Sequence, residues 1–350
     1  MKVNKNTLKE ALEIVRPGLA SKEMLEQSTS FAFSNGRVVT YNDEISISHP
    51  VSAIDFEGAI RAEELYLFLG KVKEDEVEMQ ISENTLIVIT GRAKAGIIME
   101  SDIRLPLNSI GTKGKWKSLP EDFLENLQFS LISCGRSITE VLLTCVNVRA
   151  DGLLQSSDSF SALEVQGKAL PIPGFLLPSS AAQEVCKLRP TMISASPGWV
   201  HFKNAMKTEI SCRIFEDRFP PVEQLFFTGG TQITLPKSIE NIVDRASIFA
   251  KRPHLLDETV TITMKKGSMI LDSSSDSGWF KEEVPSRYDG KTLDFTISIQ
   301  LLKRISAKSV TCTVTESKIL FKRDNWRYLA QLRTDSKIAS PASEKAKNKK

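Results

Sequence analysis

Apolar residues along this chain switch repeatedly between a helical rhythm of three to four residues and a strand rhythm of two. Six segments carry the helical rhythm. Thr7–Arg16 sets Leu8, Leu12 and Val15 on one stripe before Pro17, and Arg61–Val72 does the same with Leu65, Leu69 and Val72. Glu121–Cys134 carries Phe123, Leu124, Leu127 and Leu131, and Ser179–Leu188 carries Ala181, Val185 and Leu188 ahead of Pro190. Lys237–Phe249 offers Ile239, Ile242, Val243 and Ala246, and Ser298–Ile305 offers Leu301, Leu302 and Ile305. Between them the alternation is strand-like, as in Val77-Glu78-Met79-Gln80-Ile81 and Val310-Thr311-Cys312-Thr313-Val314, punctuated by turn signals such as Ser34-Asn35-Gly36 and Lys265-Lys266-Gly267. Each helix is thus predicted to lead into about four short antiparallel strands.

The segments recur at a fixed interval. Leu119-Pro120, Leu177-Pro178 and Leu235-Pro236 are spaced 58 residues apart, and the same step reaches Val3, Arg61 and Leu293, each at or just before a helical segment. The prolines are expected just inside their helices, where no amide donor is needed. One such module leaves a helix face and sheet edges bare, so pairing into larger domains is expected. Three pairs give an α+β chain of three similar domains, 1–118, 119–233 and 234–333, each of two helix-plus-four-strand modules. Gly111-Thr112-Lys113-Gly114 and Gly229-Gly230 read as linkers between them. Thr334–Lys350 is rich in Lys, Ser and Ala and is expected to be a disordered basic tail.

Composition narrows the function classes. The 350 residues are 41% hydrophobic and 25% charged, with no membrane-length apolar run, and Met1-Lys2-Val3-Asn4-Lys5 leads straight into a helical pattern without a signal-peptide core. A cytoplasmic protein without membrane association is expected. Five scattered cysteines (Cys134, Cys145, Cys186, Cys212 and Cys312) read as reduced, buried thiols and not as disulfides or a metal site. The net charge of +3 comes from the tail, which has five lysines against two acids and leaves residues 1–333 balanced. Such a body can bind a polyanion only if its charges are sorted onto different faces. His49, His201 and His254 are isolated, no nucleophile-elbow, P-loop or dinucleotide pattern occurs, and Glu282-Glu283 reads as a solvated strand end. No enzyme activity, cofactor or metal is expected.

Local motifs add a resemblance. Val38-Val39-Thr40-Tyr41-Asn42-Asp43-Glu44-Ile45-Ser46-Ile47, Ser156-Ser157-Asp158-Ser159-Phe160-Ser161-Ala162 and Arg213-Ile214-Phe215-Glu216-Asp217-Arg218-Phe219-Pro220 follow in order. After them come Arg245-Ala246-Ser247-Ile248-Phe249, Glu282-Glu283-Val284, and Tyr288-Asp289-Gly290 leading into Leu293-Asp294-Phe295. In order and spacing the set resembles the bacterial DNA sliding clamp, the beta subunit of DNA polymerase III, in a divergent member such as a phage or mobile-element form. The resemblance implies a head-to-tail homodimeric ring with helices lining the hole and antiparallel sheets outside. Such a ring encircles duplex DNA, serves as a processivity factor in DNA replication, and is opened by a loader.

DNA that slides must be held through phosphates and not base edges. Candidate contacts are Arg16, Lys71, Lys73, Arg136, Lys187, Arg189, Arg245, Lys251, Arg252, Lys303 and Arg304 on or beside the helices, with Lys9, Arg61 and Lys308 as further cations. The family places a basic DNA contact at the loop position of Lys22. Its polymerase and loader insert a short hydrophobic peptide into a wall that maps here onto Val146, Ser157, Ser159, Phe160, Ala162, Pro220, Gln224, Leu225, Leu329 and Leu332. Ser161, Ala162 and Gln224 depart from the family's usual Arg, Leu and basic residue, and Ala330-Gln331-Leu332 replaces its Met-Pro-Met. The dimer seam maps onto Ala95 and Ile97, with Ile98 beside them, and onto Ile248 and Phe249. Ala95 stands where the family often has a large aromatic, a loss of about 1–3 kcal/mol if buried. The alternative implied by that gap is a clamp-like platform or decoy for replication proteins that encircles nothing.

Overall fold

Asn4 caps the first helix, the one α-helix among the described residues that starts with a side-chain cap. It ends a short strand, and its side-chain oxygen accepts from the Thr7 amide at 3.0 Å, satisfying a donor that the first helical turn leaves open. The structure, a computed structural model, describes residues 1–111, 113–137, 139–226 and 229–333, so Thr112 of the expected linker and the tail 334–350 lie outside the described residues. The first two modules contain β1 (Lys2–Asn4), α1 (Lys5–Val15), β2 (Ser30–Ser34), β3 (Arg37–Tyr41), β4 (Ile45–Pro50), β5 (Gly58–Arg61), α2 (Ala62–Lys71), β6 (Glu76–Ser82), β7 (Thr85–Thr90) and β8 (Ala93–Glu100). The next two contain β9 (Lys117–Ser118), α3 (Phe123–Ser130), β10 (Cys145–Val148), β11 (Leu153–Ser157), β12 (Ser161–Gln166), β13 (Phe175–Pro178), α4 (Ser179–Leu188), β14 (Met192–Ser196), β15 (Trp199–Lys203) and β16 (Glu209–Arg213). The last two contain β17 (Thr231–Thr234), α5 (Ile239–Ser247), β18 (Thr259–Lys265), β19 (Ser268–Ser275), β20 (Gly278–Pro285), β21 (Leu293–Ser298), α6 (Ile299–Ser306), β22 (Thr311–Val314), β23 (Lys318–Lys322) and β24 (Trp326–Arg333).

All six predicted helices form and bury most of their apolar stripes, although Val72, Leu124, Leu131 and Leu188 are only half-buried and Val72 and Leu131 lie beyond the ends of their helices. The prolines need correcting. Pro120 and Pro236 stand outside their helices, and their carbonyls accept from the amides of Phe123 and Ile239, the first helical residues, at 3.1 and 3.0 Å. Pro178 is the last residue of β13. Pro120 and Pro236 close turns before their helices while Pro178 stands directly at the N-cap of α4, and each ring disfavours a helical conformation in the residue ahead of it.

Two compact units share the chain. The first comprises residues 1–131, 137–154 and 167–219; the second comprises 132–136, 155–166 and 220 onward. The same pairing rule recurs in both. The strand entering one helix of a pair bonds to the first strand leaving the other: β1 to β6 and β5 to β2, β9 to β14 and β13 to β10, β17 to β22 and β21 to β18. Each exchange brings two helices together, α1 with α2, α3 with α4, and α5 with α6. A helix that packs on a partner and on its own sheet hides both apolar surfaces that a lone module would expose.

A second rule concerns the third strand of each module. In the first unit β4 pairs antiparallel with β16, aligning Ile45 with Cys212 and Ile47 with Ile210. In the second unit β12 pairs with β24, aligning Ser161 with Ala330 and Val165 with Trp326. The third strands left over are β8 and β20. β8 meets β5 only at Met99 and Glu100, so Ala93–Ile98 bonds to β7 alone, and β20 bonds to β19 alone.

Candidate functional site

The turn from β11 to β12 is organised by one carboxylate. Asp158 Oδ1 accepts from the Phe160 amide at 3.1 Å, the Ser161 amide at 2.7 Å and the Ser161 hydroxyl at 2.9 Å. These bonds hold Ser159 at a φ of +69° and leave Phe160 40% exposed at the tip. From the other side, Gln331 of β24 donates its amide to the Phe160 carbonyl at 2.9 Å and its Nε2 to the Ser159 carbonyl at 3.1 Å. Arg304 of α6 completes the arrangement, donating from Nη1 to Asp158 Oδ2 at 2.5 Å and to the Ser161 hydroxyl at 3.0 Å.

The segment around Leu225 is fastened to the same strands. Lys318 of β23 donates to the Leu225 carbonyl at 3.4 Å, and Lys318 is the cross-strand partner of Gln331. Arg327 of β24 pairs with the buried Glu164 of β12 and stacks on Phe226 at 4.2 Å. Gln155 Nε2 donates to Glu164 and to Glu223, both at 2.8 Å. Leu225 keeps 39% of its surface exposed. Two exposed apolar side chains thus stand beside one strand pair, the Phe160 carbonyl held by the Gln331 backbone amide and the Leu225 carbonyl by the Lys318 side chain.

This layout sorts the expected peptide wall. Ser159, Phe160, Pro220, Gln224 and Leu225 are exposed and belong to the second unit. Ser157, Ala162, Leu329 and Leu332 are buried there, and Val146 is buried in the first unit as the partner of Leu177. Ala162 and Val146 show no accessible surface, so the expectation that they line the wall needs correcting: they are packing residues. The Gln331 clasp was not anticipated. Its only trace in the sequence was a polar residue between buried neighbours of β24.

The expected DNA contacts also differ among themselves. Lys22, Lys71, Lys73, Arg136 and Arg189 are exposed and form no ion pair among the described residues. Arg189 ends α4 in a left-handed conformation. Arg16 lies over the Tyr66 ring at 4.7 Å, and Lys187 pairs with Glu184 at 2.7 Å. In the second unit Arg245 makes a two-pronged pair with Glu282, Lys303 binds Asp244 at 2.6 Å, Lys251 lies 3.5 Å from the buried Glu258, and Arg252 donates to the Ser274 carbonyl. Arg304 points to Asp158 and not to open solvent.

At the expected seam, Ile97 is buried in the core of the first unit, and its outward neighbour Ile98 is 73% exposed. Period-two alternation is the reason, since successive side chains of β8 face opposite sides. Ala95 is half-buried, Ile248 is exposed, and Phe249 stacks on Phe280 at 6.2 Å between centroids. Trp279 of β20, which sequence reasoning missed, is 72% exposed.

His201 and the cysteines are other groups with potential chemistry among the described residues. His201 has both ring nitrogens 2.9 Å from hydroxyls, Ser196 on one side and Ser211 on the other, but it is fully buried, and burial lowers its pKa to about 4. The five cysteines are free thiols, and burial raises those of Cys145 and Cys186 to about 11, which removes the reactive thiolate. Among the described residues no group of three or more potential ligands could hold a metal ion, and no helix is long and apolar enough to cross a membrane.

No family model matches the sequence, and no curated protein matches it by sequence. Solved structures do match. The DNA polymerase sliding clamp of Bacillus subtilis is 18% identical, with a TM-score of 0.82 over 95% of this chain and 98% of that one. The sliding clamp of Bartonella birtlesii, solved bound to griselimycin, is 16% identical with a TM-score of 0.83 over the same shares. The DNA polymerase III beta subunit of Thermotoga maritima is 16% identical, with a TM-score of 0.78 over 95% and 98%. At this depth of divergence and this completeness of overlap, the chain has the fold of the bacterial DNA sliding clamps.

Proposed function

We propose that this protein is a DNA sliding clamp: a homodimeric ring that encloses duplex DNA, tethers a replicative polymerase through short hydrophobic peptides, and performs no chemistry itself. The observation that carries the proposal is the pair of unmatched third strands. Two junctions within the chain join the third strand of one module to that of another, β4 to β16 and β12 to β24, and each helps hold one unit together. Applied once more, the rule pairs β20 with a β8 whose Ala93–Ile98 bonds to β7 alone, and two copies satisfy it head to tail. Exposed residues include Arg92, Lys94 and Ile98 on one edge and Trp279, Lys281 and Glu283 on the other, with Lys281 already 3.7 Å from Asp272 of its own unit. The Phe249–Phe280 stack supplies apolar volume opposite the small Ala95.

In this reading the domains are 1–118, 119–233 and 234–333, the helix pairs face the DNA, and the protein works in the cytoplasm with a loader. Lys22, Lys71 and Lys73 carry phosphate contacts, and Phe160 and Leu225 receive the partner peptide. The test is topological. After loading, the protein is expected to stay on nicked circular DNA and to leave once the circle is linearised. Equal loss from both forms contradicts encirclement and favours a platform that binds partners without a ring.

A further inference from the structure

We infer that Arg304 is a positioning residue for the peptide-receiving loop and not a phosphate contact of α6. The inference rests on reading Phe160 as part of the partner surface. Arg304 is adjacent in sequence to Lys303, which pairs with Asp244 of α5. The Arg304 guanidinium instead reaches Asp158 Oδ2, with only 27% of the arginine side chain and 9% of the aspartate exposed. Asp158 is the one group that gathers the amides of Phe160 and Ser161 into the turn. Arg304 also donates to the Ser161 hydroxyl, so both ends of the turn depend on it. Tyr328 closes the space beneath: its hydroxyl donates to the Leu301 carbonyl at 3.0 Å, and the side chain is fully buried.

The chemistry favours position over phosphate binding. A phosphate on Arg304 would have to displace a charge-assisted bond to a nearly buried carboxylate and leave Asp158 without its countercharge. With Arg304 in place, Asp158 has both oxygens occupied and the Phe160 ring is held outward. Without it, Asp158 turns toward water and the turn relaxes.

The experiment uses the full chain, a fluorescein-labelled pentapeptide with two leucines and a C-terminal phenylalanine, and a labelled duplex of random sequence. For Arg304→Gln and Asp158→Asn, peptide affinity is expected to fall about tenfold while duplex affinity stays within twofold of wild type; the double variant is no worse than either single one, and Arg304→Lys recovers part of the loss. Peptide affinity unchanged in Arg304→Gln overturns the inference. So does a loss of duplex affinity as large as that of Lys71→Gln/Lys73→Gln. Hydrogen exchange at the Phe160 and Ser161 amides separates this inference from the peptide reading. If wild type binds no peptide, the peptide reading fails, and faster exchange in Arg304→Gln still supports positioning, whereas unchanged exchange overturns it.

Discussion

Lys71, Lys187 and Lys303 stand 116 residues apart, Lys71 and Lys187 at the ends of α2 and α4 and Lys303 in the middle of α6, and they present their charge in three different ways. Lys71, in the first unit, forms no ion pair among the described residues. Lys187 holds Glu184 three residues earlier on its own helix, and Lys303, in the second unit, holds Asp244 of the neighbouring α5. The repeat therefore fixes where a cation sits, and local acids decide whether it is available. The second unit neutralises most of its candidate cations, Glu282 for Arg245, Asp244 for Lys303 and Asp158 for Arg304, and leaves Arg136 open. The first unit leaves Lys22, Lys71 and Lys73 open. On this comparison the proposed grip on DNA is expected to be uneven along the chain, with the paired cations of the second unit serving its own structure.

The largest contrast between the units is expected in acid. His201 of the first unit is fully buried with its pKa lowered to about 4, and burial also lowers that of His49. Above pH 6.5 folded and unfolded chains both hold His201 neutral, so its contribution is intact. As pH falls from 6.5 toward 4 the unfolded chain takes up a proton that the folded chain refuses, and stability drops, on the order of 3 kcal/mol at most. Denaturant titrations at pH 7.5 and 5.0 with hydrogen exchange are expected to show the first unit opening first at the lower pH. His201→Asn is expected to flatten that dependence.

The edges come next. Ile98→Asp in the first unit or Trp279→Asp in the second is expected to weaken dimerisation roughly thirtyfold, about 2 kcal/mol, measured by sedimentation equilibrium. An effect confined to one of them would mean that the two strands do not meet. Smaller still is the expected difference between cations. Lys71→Gln/Lys73→Gln is expected to reduce duplex affinity several-fold and the slope of log affinity against log salt by about two. Lys303→Gln is expected to stay within twofold, with Lys187→Gln between them. Equal effects at all three helices would erase the contrast drawn here.

Much of the fold was legible because it depends on periodicity. The stripes of Leu8, Leu12 and Val15, or of Ile239, Ile242 and Val243, are buried as their spacing requires, and the 58-residue step located all six helices. Helix ends were less legible, because Pro120 and Pro236 act through carbonyls that accept from the next turn, a role that proline position alone does not distinguish from a first helical residue. The candidate site was legible only as a set of positions. Nothing local to Arg304 marks it as a partner of Asp158, which lies 146 residues away, and the sequence named both Ile97 and Ile98 without telling that Ile97 is buried and Ile98 exposed. Tertiary pairing of charges and the facing of an edge strand are properties of neighbours distant in sequence, so spacing alone could not reveal them.

Sedimentation velocity of the full chain at low micromolar concentration tests the central claim most directly. A single species of twice the chain mass, shifting toward one chain mass on dilution at roughly thirtyfold higher concentration in Trp279→Asp than in wild type, is the expected result. A wild-type monomer at every concentration and salt would contradict the ring and leave β8 and β20 as two unrelated edges.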